Sequence, residues 1–392
     1  MTNLKSATIK NTTKGGIYLL TSLKIRGFRG ITNCEIGGLK RVNVFVGRNN
    51  HGKSSILEAL YLASSAFELE DPLGRDLDKV RYLLNRRSRR GLEWGRGKEI
   101  LWYRYNTQTP ISVEIRLGER KRLEINLADW HPHPLIEIPH TQRARTALKD
   151  YSARSKMVLR HICLLESLFI ARDTASAIGK YELSQTMGRI MPYFSEIESY
   201  MKGMNIIDSN LIYQMERVER ALWNKLLKER HDKLITGILR DGYEVEVEDL
   251  TYMPYGETYQ LAVKLPTTTT RADDLGDGAR YSMVWLMVAA LARNTAVLIE
   301  EPENHQHPGG LAKSLEMLLE LIGKNNVQLF ATTHSIEFIK LVQAIAEEKK
   351  TELAIFFIEM DKKGKIEPRS VASRDFEYLA KMGLDVRFLD II

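Results

Sequence analysis

An α/β fold is predicted for this chain of 392 residues, and three observations predict it. A glycine loop, Gly47-Arg48-Asn49-Asn50-His51-Gly52-Lys53-Ser54, follows a short β-branched run and precedes an amphipathic helix. From Asp274 onward the chain alternates helix, strand, helix, strand, helix, strand, the pattern of helices packed on a sheet. Between these ends the character changes, first to antiparallel strand patterning and then to mainly helical sequence.

Residues 1–17, rich in Thr, Asn and Lys, read as a tail. Ile17 to Ile25 and Ile31 to Ile36 read as strands divided by the Arg26-Gly27-Phe28-Arg29-Gly30 turn. Val42 to Val46 has the composition of a buried strand. After the glycine loop, Ile56, Leu60, Ala63 and Phe67 recur on one helical face. Residues 100–128 alternate as ILWYRYN, ISVEIRLG and KRLEINL, an antiparallel meander, which the HPHP segment at 131–134 ends. From about 140 to 237 the pattern is helical without a repeat, and Tyr243 to Leu265 returns to strands. After Asp274 come the apolar helix Met283 to Ala292, buried-strand runs ending at Ile299 and Thr333, a helix from Ile336 to Lys349, and a final strand pair. The economical division joins residues 18–130 and 238–392 in one nucleotide-binding domain, with 131–237 as an inserted, mainly helical lobe.

Composition excludes several classes. Charged residues at 27% and hydrophobic ones at 44% are the balance of a globular protein, not a disordered one. The longest apolar run, Met283 to Ala292, is half of what a membrane helix needs, and the N-terminus has no signal-like apolar stretch. Cys34 and Cys163 make neither a disulfide framework nor a cysteine-based zinc site, so a cytoplasmic location is expected. Of the net +7, nine basic and four acidic residues fall between Gly74 and Glu99, and six basic against one acidic between Arg143 and Arg160. Such clusters read either as a footprint for DNA phosphates, with Arg86, Arg87, Arg89 and Arg90 at its centre, or as arginines paired with nearby acids such as Glu68, Glu70 and Asp71.

The residues 47–54 fit GxxxxGK[ST], in which glycines let backbone N–H groups surround a phosphate, lysine neutralises its oxygens and the following hydroxyl ligates Mg²⁺. The helix that starts near Lys53 adds its positive end. Glu300-Glu301, at the end of the Ala296–Ile299 run, put carboxylates where a metal and an attacking water would sit, and His334 ends the neighbouring strand run. No guanine-reading motif is present. Leu275-Gly276-Asp277-Gly278 opens the long apolar helix.

Leu23 to Arg29, the loop from Gly47 to Ser54 with Asn49, Leu275 to Gly278, Ile299 to Pro308 (IEEPENHQHP) and His334 occur in the order of the ABC-type ATPases of the SMC, RecF and OLD (overcoming lysogenisation defect) group, which this sequence resembles. The resemblance covers roughly half the chain and implies an ABC-type P-loop ATPase domain with an antiparallel β subdomain. It implies that Asn49, Asn50, His51, Gly52, Lys53, Ser54 and Ser55 bind ATP, that Ser54 and Glu300 hold Mg²⁺, that Glu301 polarises the attacking water, and that His334 senses the γ-phosphate. It also implies a homodimer sandwiching two ATP molecules, with Gly276 and Gly278 in the loop that caps the partner's nucleotide, and a setting in DNA repair or defence with a possible nuclease partner. Three positions depart from the group's pattern. Gly276 stands where serine is usual, Asp277 replaces a glycine and brings a charge that Arg280 would have to offset, and Glu300 replaces aspartate. The glutamine loop has no counterpart; LFIARD at 168–173 lies in its place without a glutamine.

Other features point to packing more than chemistry. His131 and His133 lack a further ligand at metal spacing, and His305 and His307 lie in the turn after the paired glutamates. Trp102, Tyr103, Tyr105 and Trp130 fit strand packing, with base stacking as the alternative. After His334 only 58 residues remain, too few for the Toprim nuclease that many OLD chains carry. Two alternatives to an ATPase stay open: a nucleotide-gated scaffold with little turnover, and a metal-dependent nuclease.

Overall fold

The computed structural model describes residues 19–75, 78–88, 91–118, 121–129, 135–138, 168–170 and 195–371. Three strands lead in, β1 (Leu20–Phe28), β2 (Ile31–Gly37) and β3 (Val42–Val46), followed by helices α1 (Lys53–Ser64) and α2 (Lys79–Asn85). Strands β4 (Ile111–Leu117), β5 (Lys121–Leu127), β6 (Leu135–Ile138) and β7 (Leu168–Ile170) come next. Then follow α3 (Ser195–Met201), β8 (Asn205–Ile207), α4 (Met215–Lys228), α5 (Asp232–Tyr243), β9 (Asp249–Tyr255), β10 (Thr258–Lys264) and β11 (Thr269–Arg271). The C-terminal third supplies α6 (Asp277–Leu291), β12 (Ala296–Glu300), α7 (Pro308–Lys324), β13 (Gln328–Thr333), α8 (Ile336–Glu348), β14 (Leu353–Met360) and β15 (Lys365–Val371).

Twelve of these strands form one sheet in the order β7-β6-β5-β4-β1-β2-β15-β14-β3-β13-β12-β8, and β9 to β11 form a separate small sheet. The run β14-β3-β13-β12-β8 is parallel, while β1, β2 and β4 to β7 pair antiparallel. Strands of the parallel half are covered on both faces, which is why β3 and β13 are buried at every residue. Val42, Val44 and Val46 face the core that α4 to α8 cover, and Phe45 faces the core that holds α1.

The mixed α/β class and the antiparallel subdomain agree with the sequence expectations, and β1 to β3 lie in one sheet with β12 to β15. Three local readings change. Residues 98–101 and 103–105 are 3₁₀ turns, not strand, with Arg104 at φ +50°. Buried Leu101 and Trp102 anchor that segment, and the indole Nε1 donates to Thr109 O (2.9 Å). Tyr243 ends helix α5, and strand begins only at Asp249. Finally, residues 195–237, expected within a separate lobe, join the core: β8 pairs parallel with β12, and buried side chains of α4 and α5 share a cluster with α6 and α7. The second basic cluster, Cys163, Trp130 and the HPHP segment lie outside the described residues.

Arg75 ties edge strand β8 to the α1–α2 connection. Its guanidinium is 1% exposed, holds Asp71 through Nε (2.9 Å) and Nη2 (2.7 Å), donates to Ile206 O (2.6 Å) and lies 3.7 Å from the Tyr82 ring centroid. Burial alone would raise the Asp71 carboxyl, yet Arg75 brings it below the ordinary value. Arg75→Met would leave that carboxylate buried without a cation, and urea denaturation at neutral pH is expected to show a loss of about 3–5 kcal/mol. A depressed folded-state pKa contributes stability above the unfolded value and loses it as pH falls through the folded one, so the gap between wild type and variant should narrow below roughly pH 4. A gap of equal size at acid pH would remove Asp71 from the account.

Candidate functional site

The glycine loop leaves β3 and turns into α1 under tight steric limits. Gly47 has φ +150°, and a Cβ there would stand 2.3 Å from Ile358 O on β14. Gly52 has φ +88°, and its Cβ would meet Ile366 Cδ1 at 2.6 Å. Both positions favour glycine by backbone conformation, and at Gly47 the backbone carbonyl also leaves no room for a side chain. The loop closes over Lys53, whose Nζ donates to Gly47 O (2.9 Å) and Arg48 O (2.8 Å). Burial pushes the ammonium down to about 8, with Glu301 and Glu303 pulling the other way.

A cavity of about 440 Å³ opens beside this loop. The loop and α1 contribute Asn49, Asn50, Gly52, Lys53, Ser54 and Ser55 to its wall. Glu300, Glu301 and His334 line it from the ends of β12 and β13, adjacent parallel strands that deliver their C-terminal tips together. His51 is not among the lining residues, and its Nδ1 is buried without a hydrogen-bond partner among the described residues. Gly276 and Gly278 do not line the cavity either. They open α6 elsewhere, where Arg280 pairs with Asp277 (3.2 Å) and Asp273 (3.2 Å). The offset that Asp277 requires is thus present. Of LFIARD, residues 168–170 form the outermost strand at the far edge of the large sheet.

At the tip of β12 the backbone of Glu301 is left-handed, φ +44°, a strained state for a side-chain-bearing residue. Its Oε1 lies 3.4 Å from His334 Nε2, and its Oε2 accepts from Asn304 Nδ2 (2.9 Å). Glu303 accepts from Thr333 Oγ1 (2.5 Å) and His334 N (3.1 Å), so it braces the histidine's backbone; burial raises its carboxyl. Glu300 Oε2 pairs with Arg86 Nη2 (2.6 Å), while Glu300 Oε1 is buried without a hydrogen-bond partner among the described residues. Burial raises the Glu300 carboxyl against the pull of Arg86.

The arginines are what sequence reasoning missed. Arg29, Arg86 and Arg87 line the same cavity, and all three converge on Glu58, a fully buried carboxylate on α1. Arg86 is only 6% exposed and also reaches Asp208 (3.2 Å). It is therefore not a surface contact for DNA phosphates, and two of the acids suggested upstream are taken by others, Asp71 by Arg75 and Glu68 by Lys79. Arg89 and Arg90 lie outside the described residues. The available signal was Glu58 itself, an acid placed between Leu57 and Ala59 in an otherwise apolar helix.

Comparison with known proteins agrees with this geometry. A family model described as an AAA ATPase domain matches residues 19–88 and 268–339, the two segments that supply all of the cavity's lining residues but Met360. Over 385 residues, covering 92% of this chain and 97% of the relative, the sequence is 21% identical to an ATP/GTP phosphatase of Helicobacter pylori. It is 22% identical over 222 residues to the DNA replication and repair protein RecF of Streptococcus thermophilus, covering 54% of this chain and 52% of RecF. Among solved structures, an SMC head bound to the C-terminal winged-helix domain of ScpA superposes with a TM-score of 0.51 at 12% identity, covering 91% of this chain and 99% of that one.

The titration of Lys53 gives a test. Its folded-state value lies below the ordinary lysine value of 10.5, so between about pH 8 and that value the unfolded chain binds more protons and stability rises with pH. Wild type measured against Lys53→Met by chemical denaturation should gain stability from pH 7.5 to 10, taken as roughly the span of this shift. A flat difference would mean that the ammonium is not desolvated. The matched segments, the relatives and the fold agree with one another: the chain is similar to ATPases of the SMC and RecF kind and shares the fold of the SMC head.

Proposed function

We propose that this chain binds ATP with Mg²⁺ in the cavity and hydrolyses it, working as a dimer that sandwiches two nucleotides and acts on DNA or beside a nuclease partner. One observation carries the hydrolytic part. Glu301 and His334 meet at 3.4 Å on the wall of the cavity that Lys53 and Ser54 also line. In this reading the loop amides and Lys53 hold the phosphates, and Lys53 exchanges its loop carbonyls for phosphate oxygens. Glu301, oriented by Asn304, takes the proton of the attacking water, and His334 donates toward the γ-phosphate. Glu303, bonded to Thr333 and His334, is the alternative base.

Magnesium suits the donors present. Ser54 lines the cavity near Glu300, whose Oε1 has no protein partner among the described residues. No group of three His, Cys, Asp or Glu among the described residues would cage a metal unaided, as expected for an ion that arrives with phosphates and keeps several waters. When bound, it would neutralise charge on the β- and γ-phosphate oxygens.

DNA contact and the nuclease partner belong to the same proposal; RecF and SMC likeness supports them. Among the described residues no helix is long and apolar enough to cross a membrane. A nucleotide-gated scaffold with little turnover is a second reading, favoured by Gly276, which offers no hydroxyl at the start of α6, and by the carboxylate of Asp277 beside it. Steady-state phosphate release with and without DNA separates the two.

Glu301→Gln should leave ATP affinity near wild type and reduce hydrolysis by on the order of 10²-fold or more. It should also accumulate a nucleotide-bound dimer in size-exclusion chromatography. Wild-type hydrolysis by that variant would move the base to Glu303.

A further inference from the structure

Beyond the cavity, a second polar cluster joins four separate parts of the chain. Tyr243, the last residue of α5, donates its hydroxyl to Gln306 Oε1 and shares a hydrogen bond with Ser282 Oγ on α6 (2.5 Å). Ser314 Oγ on α7 donates to Ser282 Oγ (3.0 Å) and stands 3.4 Å from the tyrosine oxygen. Gln306 completes the bridge by donating Nε2 to Gly278 O in the first turn of α6 (2.9 Å). Ser282 and Ser314 are both fully buried.

The surrounding backbone is cut to fit. A Cβ at Gly310 would lie 2.7 Å from Tyr243 Cε1, and one at Gly278 would lie 2.5 Å from His305 O. Two glycines, Gly309 and Gly310, stand in the first turn of α7, where each weakens the helix by roughly 1 kcal/mol relative to alanine. At Gly310 the aromatic ring explains that choice. Burial keeps the phenol above its ordinary range, so it remains a donor through neutral and mildly alkaline pH.

The turn from Glu301 to His307 therefore has two ends. Its first half carries Asn304 on Glu301 and Glu303 on Thr333 and His334, and of these Glu301 and His334 line the cavity. Its second half is bolted to Gly278. We propose that Tyr243 and Gln306 are positioning residues that clamp the α6 N-terminus to the turn carrying Glu301, so that an event at the 276–278 loop is transmitted to the base. The inference rests on the hydrolytic reading above and adds residues that touch neither nucleotide nor metal.

The experiment uses the full chain, with Tyr243→Phe, Gln306→Met and the double variant. Tyr243→Phe keeps the ring in its slot and removes only the hydroxyl, so the melting temperature should stay near wild type. Each single variant should lower kcat for ATP about tenfold, the scale of a slightly misplaced catalytic group. KM should stay within about twofold, since no binding contact is lost. The double variant should be no worse than the worse single one, because both break the same clamp. Without nucleotide, hydrogen–deuterium exchange of residues 276–282 should be faster in both single variants. Wild-type kcat in the variants, or losses that multiply in the double variant, overturn the clamp. If the wild-type chain itself releases no phosphate, the hydrolytic reading has failed separately; exchange at 276–282 then decides the clamp alone, faster supporting it and unchanged overturning it.

Discussion

The carboxylate of Glu58 is buried in the middle of α1 and meets three arginines there. An isolated charge in that position would cost several kcal/mol after relaxation, and only close cations with further hydrogen bonds compensate for it. The cations come from different places. Arg29 leaves the β1–β2 turn and also donates to Leu83 O, Arg86 follows α2, and Arg87 is its neighbour. Arg86 then holds Glu300 at the end of β12 and Asp208 just past β8. One buried acid thus fixes the helix after the phosphate loop against the antiparallel half on one side and the paired glutamates on the other. Segments that are hundreds of residues apart share a cavity because their charges have no other way to be buried.

Steric limits complete what charge begins. The phosphate loop can lie against β14 only because Gly47 carries no Cβ, and α6 can lie against the Glu301–His307 turn only because Gly278 carries none. The two contacts differ in what makes them visible. Gly47 and Gly52 sit inside a short local pattern between a strand and a helix, so the sequence displays their purpose. Gly278 and Gly310 are defined by partners far along the chain, His305 O and the Tyr243 ring, and nothing nearby announces them.

The same distinction separates what the sequence made legible from what it did not. Strands β1 to β3, helix α1 and the alternation from α6 to β15 follow from local periodicity, as does the convergence of Lys53, Ser54, Glu300, Glu301 and His334 once the strands are placed side by side. The segment around Trp102 misleads because its aromatic spacing imitates alternation, while the buried indole and Leu101 hold two turns instead. Residues 195–243 mislead for another reason. An amphipathic helix has the same pattern whether its apolar face meets its own lobe or a larger core, and the three-residue strand β8 is too short to signal the sheet it joins. The arginines after α2 mislead because a charge run says nothing of its partners, and Glu58, Asp208 and Glu300 are remote in sequence.

That last point changes the electrostatics of the site. Counted from the sequence, the stretch around Arg86 is a strong positive region, suited to meeting phosphates. In the fold, Arg29, Arg86 and Arg87 stand against Glu58, Asp208 and Glu300, three positive charges against three negative ones, and the group is close to neutral. The arginines therefore serve more to shape the wall than to supply free positive field. Among the described cavity-lining cations, the one held by carbonyls and not by a carboxylate is Lys53, and the backbone amides at the start of α1 stand beside it. A lysine kept desolvated and bonded to neutral oxygens gains more from an arriving anion than an arginine already paired with carboxylates. Among the described residues that line the cavity, the paired arginines thus leave Lys53 as the cation that answers most to an arriving anion, a property of the fold that no count of charges along the chain contains.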